Sequence, residues 1–209
     1  MNILVVAATE LEIDPYLKFL KSKPYSVDVL ISGVGMVSTA FELGKKLAEN
    51  RYGAMLNVGI AGSFDKEIEL GSIVRVQSDS LSELGAQNNH EFLTIEKIGF
   101  GKSIYYENAT PFLKYSTVSK LKVANGITVN TVHGNKEGIE NIIKRLNPDT
   151  ESMEGAAFFY AAQKSEIYAL QVRSISNIVE VRNRSNWEID LAIQNINNWL
   201  MEFTTEFYS

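Results

Sequence analysis

Short apolar runs of strand length alternate along this chain with segments whose apolar positions recur at helical spacing. Strand-like runs lie at residues 3–7, 26–32, 54–58, 73–78, 127–132 and 168–175, and helical patterns cover 10–21, 37–50, 136–146, 153–163 and 187–207. Alternation of this kind predicts an α/β fold, a mixed or parallel sheet with helices on both faces. The last helix carries the clearest stripe. Its Ala192, Ile196, Trp199, Leu200, Phe203 and Phe207 recur at i, i+4, i+7 and i+8 spacing and should face the body of the protein. The stretch 80–122 is the least regular, polar around Gln87-Asn88-Asn89-His90 and then aromatic and glycine-containing up to Phe112. A loop region of that length inside a compact domain is a functional segment or an oligomer contact.

At 209 residues, with no internal repeat or linker, the chain reads as one domain, 1–209, long enough to bury a full core. The net charge of −5 argues against nucleic-acid backbones and anionic membranes as partners. The chain has no cysteine, which excludes a disulfide framework, a thiol nucleophile and a cysteine metal site. No apolar run approaches the roughly 20 residues of a membrane helix, and the first segment lacks the basic flank of a signal peptide. The expected location is the cytoplasm.

Candidate chemistry clusters at the ends of strand-like runs. Glu12 opens a helix just past the first run, at the mouth of an α/β sheet, where ligands bind. Acid at that place suits water or sugar hydroxyls rather than phosphate. Ser32-Gly33-Val34-Gly35 follows the second run. Its glycines allow backbone N–H groups to approach a ligand at a helix N-terminus, or simply make a tight turn, and the dinucleotide fingerprint is incomplete because residue 38 is Ser. Asn57-Val58-Gly59-Ile60-Ala61-Gly62 ends the third run in a second small-residue turn. Glu151-Ser152-Met153-Glu154-Gly155-Ala156-Ala157 sets two acids at the start of a helix with a small, apolar face. They cap that helix, or one of them binds a ligand, since an acid at the start of a buried helix is costly unless it is paired. Arg173-Ser174-Ile175-Ser176-Asn177 closes a late strand, with Arg182 and Arg184 following on a polar segment. His90 and His133 have no metal-ligand spacing and read as ordinary polar histidines; Trp187 and Trp199 read as core.

Taken in order, these segments, together with Leu70-Gly71-Ser72-Ile73-Val74, resemble the nucleoside phosphorylase/nucleosidase superfamily over nearly the whole chain. The resemblance implies a single-domain mixed sheet forming a distorted barrel surrounded by helices. It implies that Glu12 positions or activates water, that Met153 and Glu154, flanked by Ser152, bind ribose, and that Ser176 and Asn177 recognise the base. Ser32, Gly33, Ala61 and Gly62 should line the water and ribose side. Relatives that cleave adenine nucleosides carry Asp where this chain has Asn177. An amide donates hydrogen bonds but is no Brønsted acid, so it suits the N7 and O6 acceptors of a 6-oxopurine.

Phosphorylases of the superfamily hold phosphate with arginines in the first loop and in a later glycine loop. Here those places carry Thr9, Glu10 and Glu12, and the uncharged Asn57-to-Gly62 segment. The pattern looks most like the futalosine hydrolases, which release hypoxanthine from futalosine on the way to menaquinone. Arg182 or Arg184 would then meet the substrate's benzoate carboxylate. Two alternatives stay open: a methylthioadenosine/S-adenosylhomocysteine nucleosidase or another purine nucleosidase or phosphorylase, and a nucleoside-binding protein without turnover. The resemblance also implies a dimer-based homo-oligomer, with residues 92–112 as the expected contact. No metal or organic cofactor is expected.

Overall fold

The computed structural model describes residues 2–209. All five residues of the first apolar run are buried and form β1 (Ile3–Ala7). The chain continues through α1 (Glu10–Lys21), β2 (Val27–Ile31), α2 (Met36–Glu49), β3 (Ala54–Ser63) and β4 (Ile73–Leu81). A hairpin of β5 (Gly85–Asn88) and β6 (Glu91–Thr94) precedes β7 (Ile104–Tyr106) and the short α3 (Ser116–Ser119). The last third holds β8 (Lys122–Thr128), α4 (Lys136–Leu146), β9 (Thr150–Ser152), α5 (Gly155–Lys164), β10 (Tyr168–Ile178) and α6 (Ile189–Phe207).

The sheet is mixed and closes on itself. In the order β10, β4, β8, β9, β3, each strand pairs with the next, and β3 pairs back to β10 to complete a five-stranded ring. Beyond the ring, β1 and β2 extend the sheet from β3, all parallel, and β7 adds to β4. The expected α/β architecture of a distorted barrel flanked by helices is therefore the observed one.

Two apolar layers cover the sheet. On one face Ile196, Trp199, Leu200 and Phe203 of α6, with Ile13 and Tyr16 of α1, pack on Val5, Leu56, Leu170 and Val172. The other face carries Leu43 of α2 and Phe158 and Phe159 of α5 against Leu4, Val6 and Met55. The predicted α6 stripe is thus buried from Ala192 to Phe203, with Phe207 packed at its edge. Among the described residues, no helix is long and apolar enough to cross a membrane.

Several boundaries depart from expectation. The irregular stretch is not an open loop, since it forms the β5–β6 hairpin, β7 and α3. β8 runs over Lys122–Thr128 instead of 127–132. Its inward positions, Ala124 and Gly126, are too small to give a strand signal, and they must be small: a Cβ on Gly126 would lie 2.9 Å from the Asp79 carboxylate. The helix expected from residue 153 begins at Gly155, because Thr150–Ser152 is drawn into the ring as β9. The helix expected from Trp187 begins at Ile189, after a 3₁₀ turn at Arg184–Asn186.

Gly155 is the tightest junction between α5 and the barrel. A Cβ there would run into the carboxylate of Asp79 and the amide of Gln171. Gly155→Ala should therefore cost about 1–3 kcal/mol despite the better helix propensity of alanine, read as a lower urea midpoint. An unchanged midpoint would show that this junction yields freely.

Candidate active site

β3 has a split edge. β1 pairs with it only as far as Asn57, and β9 joins the same edge only at Gly62, so residues 58–61 have no strand on that side. A cavity of about 350 Å³ opens there, lined in part by Ile60, Ala61 and Gly62. Such a break in strand order is where ligands bind in α/β sheets.

Glu12 enters this gap from α1. Thr9 is the N-cap and Glu12 the third helical residue of a capping box. Glu12 Oε2 accepts from Thr9 N at 3.0 Å and Thr9 Oγ1 at 3.1 Å. Its Oε1 accepts from Ile60 N at 3.3 Å, the amide left open by the split edge. Burial raises the Glu12 pKa above the usual carboxylate range; Arg173 pulls it down and Glu154 pushes it up. A wedge from α6 holds the backbone beneath. Asn197 Nδ2 donates to Glu12 O at 2.8 Å, and Asn197 Oδ1 accepts from Tyr16 N at 3.0 Å. It thus replaces a rung of the helix ladder beside Pro15, which distorts the helix there.

Glu154 lies across the cavity. It precedes α5 but makes no side-chain cap. Instead its Oε1 accepts from Gly35 N at 3.0 Å, and its Oε2 lies 3.8 Å from Arg173 Nη2. Arg173 is only 1% exposed. Its Nη2 donates to Asn57 Oδ1 at 2.5 Å and its Nε to Gln171 Oε1 at 3.1 Å. The chain of bonds runs on into the barrel: Gln171 Nε2 donates to Asp79 Oδ2 at 3.1 Å, and Thr128 Oγ1 donates to Asp79 Oδ1 at 2.8 Å. Burial pushes the Asp79 carboxyl up to about 6 against the pull of those two donors. Gly59 makes the approach of Arg173 and Glu12 possible, since a Cβ on it would lie 2.5 Å from Arg173 Nη1 and 3.0 Å from Glu12 Oε1.

At the other end, β10 bulges at Ser176, and Asn177 falls opposite Gly62. Ser176 Oγ donates to Asn177 Oδ1 at 2.9 Å, and Asn177 Nδ2 donates to Ile178 O at 3.1 Å. The amide is thereby oriented with its second Nδ2 hydrogen free.

The cavity brings together Glu12, Ala61, Gly62, Ser152, Met153, Glu154, Ser176 and Asn177. It does not include Ser32, Gly33 or Arg182. Ser32 is buried behind the wall, its Oγ within 3.2 Å of Thr39 Oγ1. Gly33 takes φ +78 in a turn closed by Ser38 Oγ on Ser32 O at 2.6 Å, so this loop serves the site through the Gly35 amide. Arg182 is exposed, with its guanidinium 5.1 Å from the ring of Trp187. Trp187, expected in the core, is half-buried and lines the cavity. His133 and Glu151 line it as well, and the sequence reading assigned neither a ligand. Glu151 sits beside the Met153-Glu154 pair, a signal that was available; His133 offered none. Among the described residues, no cluster of three or more His, Cys, Asp or Glu could hold a metal ion.

The family model of the Phosphorylase superfamily matches residues 17–205, and the chain belongs to that superfamily. It is 28% identical to the futalosine hydrolase of Streptomyces coelicolor over 177 residues, 81% of this chain and 75% of that protein. It is also 28% identical to the futalosine hydrolase of Thermus thermophilus, over 78% of this chain and 75% of the relative. The solved structure of futalosine hydrolase from Helicobacter pylori superposes with a TM-score of 0.82 at 16% identity, over 99% of this chain and 98% of that one. The 5'-methylthioadenosine/S-adenosylhomocysteine nucleosidase of the same organism gives 0.83 at 15% identity, again over 99% and 98%. Those two likenesses establish the shared fold.

Among the described residues, Arg173 is the cation set between the buried acids Glu154 and Asp79, so removing it should be felt in stability first. Arg173→Met should lower the unfolding free energy by about 3–5 kcal/mol in urea titration. A loss below about 1 kcal/mol would mean the acids are stabilised by other groups.

Proposed function

We propose that this superfamily member is an N-glycosyl hydrolase that cleaves futalosine to hypoxanthine and dehypoxanthinylfutalosine, a step of menaquinone synthesis in the cytoplasm. The observation that carries this reading is the make-up of the cavity. Two carboxylates, Glu12 and Glu154, face its middle, an amide donor stands at one end, and no Lys or Arg lines it among the described residues. Arg173 lies behind the wall with its bonds directed to Asn57, Gln171 and Glu154. A phosphate dianion would find no cation there, whereas a neutral water molecule would find an acceptor. The futalosine hydrolases at 28% identity point to the same reaction.

In this reading Glu154 accepts from the ribose 2′ and 3′ hydroxyls and fixes the sugar. Glu12 takes a proton from water as the water oxygen bonds to C1′ and the C1′–N9 bond breaks. The bonding pair passes into the purine and spreads onto O6. The free N–H of Asn177 Nδ2 meets N7 or O6 and stabilises that charge. The proton held on Glu12 returns to solvent, and the base takes one up as it leaves.

The same reading makes the protein a dimer. Val37 is 78% and Phe41 64% exposed, and both line an apolar groove of about 590 Å³, while Phe100, Ile104 and Tyr106 are apolar residues exposed outside it. Exposed apolar surface of this kind marks interaction sites. Sedimentation should give a dimer that Phe41→Glu dissociates; a monomeric parent would refute the assembly.

A chromatographic assay without phosphate, offering futalosine, inosine, methylthioadenosine and S-adenosylhomocysteine, tests the function. Hypoxanthine from futalosine alone supports it, adenine from the sulfur nucleosides would make the protein an ordinary nucleosidase, and no release at all would leave a binder. Glu12→Gln keeps the capping acceptor and should lose about 10²–10⁴-fold in turnover with binding largely retained. Because protonated Glu12 cannot take the water proton, kcat/KM should fall with decreasing pH through a value above the ordinary glutamate range. An acid limb at or below that range would remove Glu12 from the role.

A further inference from the structure

We infer that His133 and Glu151 form a second base-reading element, one that selects a 6-oxopurine through its N1–H; this rests on the purine-nucleoside reading above. Asn177 by itself does not make that choice. Its amide is locked as a donor by Ser176 and Ile178, and N7 accepts in hypoxanthine and adenine alike.

The register places a second polar group across from it. Asn177 of β10 and Glu151 of β9 both stand opposite Gly62 of β3. Neighbouring strands lie about 4.8 Å apart, so the two Cα atoms are about 10 Å apart with their side chains on one face. Gly62 puts no side chain between them; a Cβ there would lie 2.9 Å from Val179 Cγ2 and 3.1 Å from Asn177 Nδ2. A flat bicyclic base laid over Gly62 meets Asn177 at one edge and the Glu151–His133 pair at the other.

That pair has a defined polarity. Glu151 is 4% exposed and bonded by His133 twice: Oε1 accepts from His133 N at 3.0 Å, and Oε2 is bonded to His133 Nδ1. A carboxylate only accepts, so it holds a ring proton on Nδ1; in the neutral ring the lone pair then lies at Nε2. Among the described residues no protein group bonds Nε2, and the His133 side chain keeps 18% of its surface exposed. The edge contact with Phe64, at 6.2 Å between centroids, fixes the plane of the ring. A bare acceptor needs a donor. Hypoxanthine offers N1–H at that edge, while its N7 accepts from Asn177 as the N7 of adenine also does. Adenine offers only a lone pair at N1, so acceptor meets acceptor at His133.

Calorimetric binding of hypoxanthine and adenine to the purified protein and its variants tests this. The parent should bind hypoxanthine about 10–100-fold more tightly than adenine, the factor expected when a buried polar group is left unpaired. His133→Phe keeps the ring bulk and removes the acceptor, and should erase that ratio by weakening hypoxanthine alone. Glu151→Gln can offer N–H to Nδ1 and release the proton to Nε2, and should lower the same ratio, which keeps the test intact if His133→Phe fails to fold. A purely structural role would weaken both bases equally; an unchanged ratio in the folded variants therefore overturns the inference. If the parent cleaves futalosine and the variants keep its ratio, only this inference falls. If the parent neither binds a purine base nor cleaves a nucleoside, the functional reading falls with it.

Discussion

A single guanidinium, Arg173, sets the terms on which this barrel can hold acid. Two carboxylates and the Asp79 carboxyl crowd the inner face of β3, β4 and β10, and Arg173 is the cation that Glu154 reaches, at 3.8 Å. At that distance, with an effective dielectric near 20, the attraction is worth about 4 kcal/mol. The cost of taking the charges out of water is of similar size. The balance shows at Glu12: burial is the largest influence on its carboxyl and outweighs Arg173, so its pKa rises. A carboxylate that is costly to keep charged is a stronger proton acceptor than one in water. The guanidinium offsets part of that cost and burial keeps the rest, so Glu12 retains a raised proton affinity.

The fold is arranged around that cluster with little slack. Thr9 and Glu12 start α1 and at the same time line the cavity, so one local motif both caps the helix and shapes the wall. The split edge of β3 supplies Ile60 N to Glu12, which would be consumed by a neighbouring strand in a continuous sheet. Gly59, Gly126 and Gly155 each give up a side chain where a charged or amide group comes close. Asn197 carries α6 into the backbone of α1 under Glu12, tying an amphipathic helix to the polar corner of the cavity.

Much of this was legible in the sequence where periodicity or position carries the signal. The α6 stripe follows from spacing alone, and Glu12 follows from an acid placed just after a buried run. Glu154 follows from an acid at the head of a small-residue helix. Other parts were hidden for physical reasons. β9 is three residues long and exists only because the ring needs it. β8 places Ala124 and Gly126 on its tight inner face, and Asn125 separates Val123 and Ile127 on the other, so its apolar alternation is too short to detect. Arg173 stood near the end of a strand-like run with a polar segment after it, a setting that does not mark burial, yet it is among the largest fully buried side chains. His133 has no local motif; its place depends on β9 bringing Glu151 to it.

The chemistry that such a site can support follows from its charge inventory. Arg173 is already committed to Asn57, Gln171 and Glu154, so it cannot also neutralise an incoming anion without abandoning buried acids. A phosphate nucleophile would have to enter a pocket lined by Glu12, Glu151 and Glu154 and, among the described residues, by no Lys or Arg, adding like charge where dielectric screening is weak. Water carries no such penalty and gains an acceptor. In the proposed reaction the negative charge of the leaving group would build at the far end, where a neutral amide donor has its N–H already oriented. Acid where a proton must be removed and a fixed donor where electrons must be received give the cavity a direction. In the proposed reading it is the lack of a Lys or Arg on the cavity wall, among the described residues, that favours water over phosphate on this barrel.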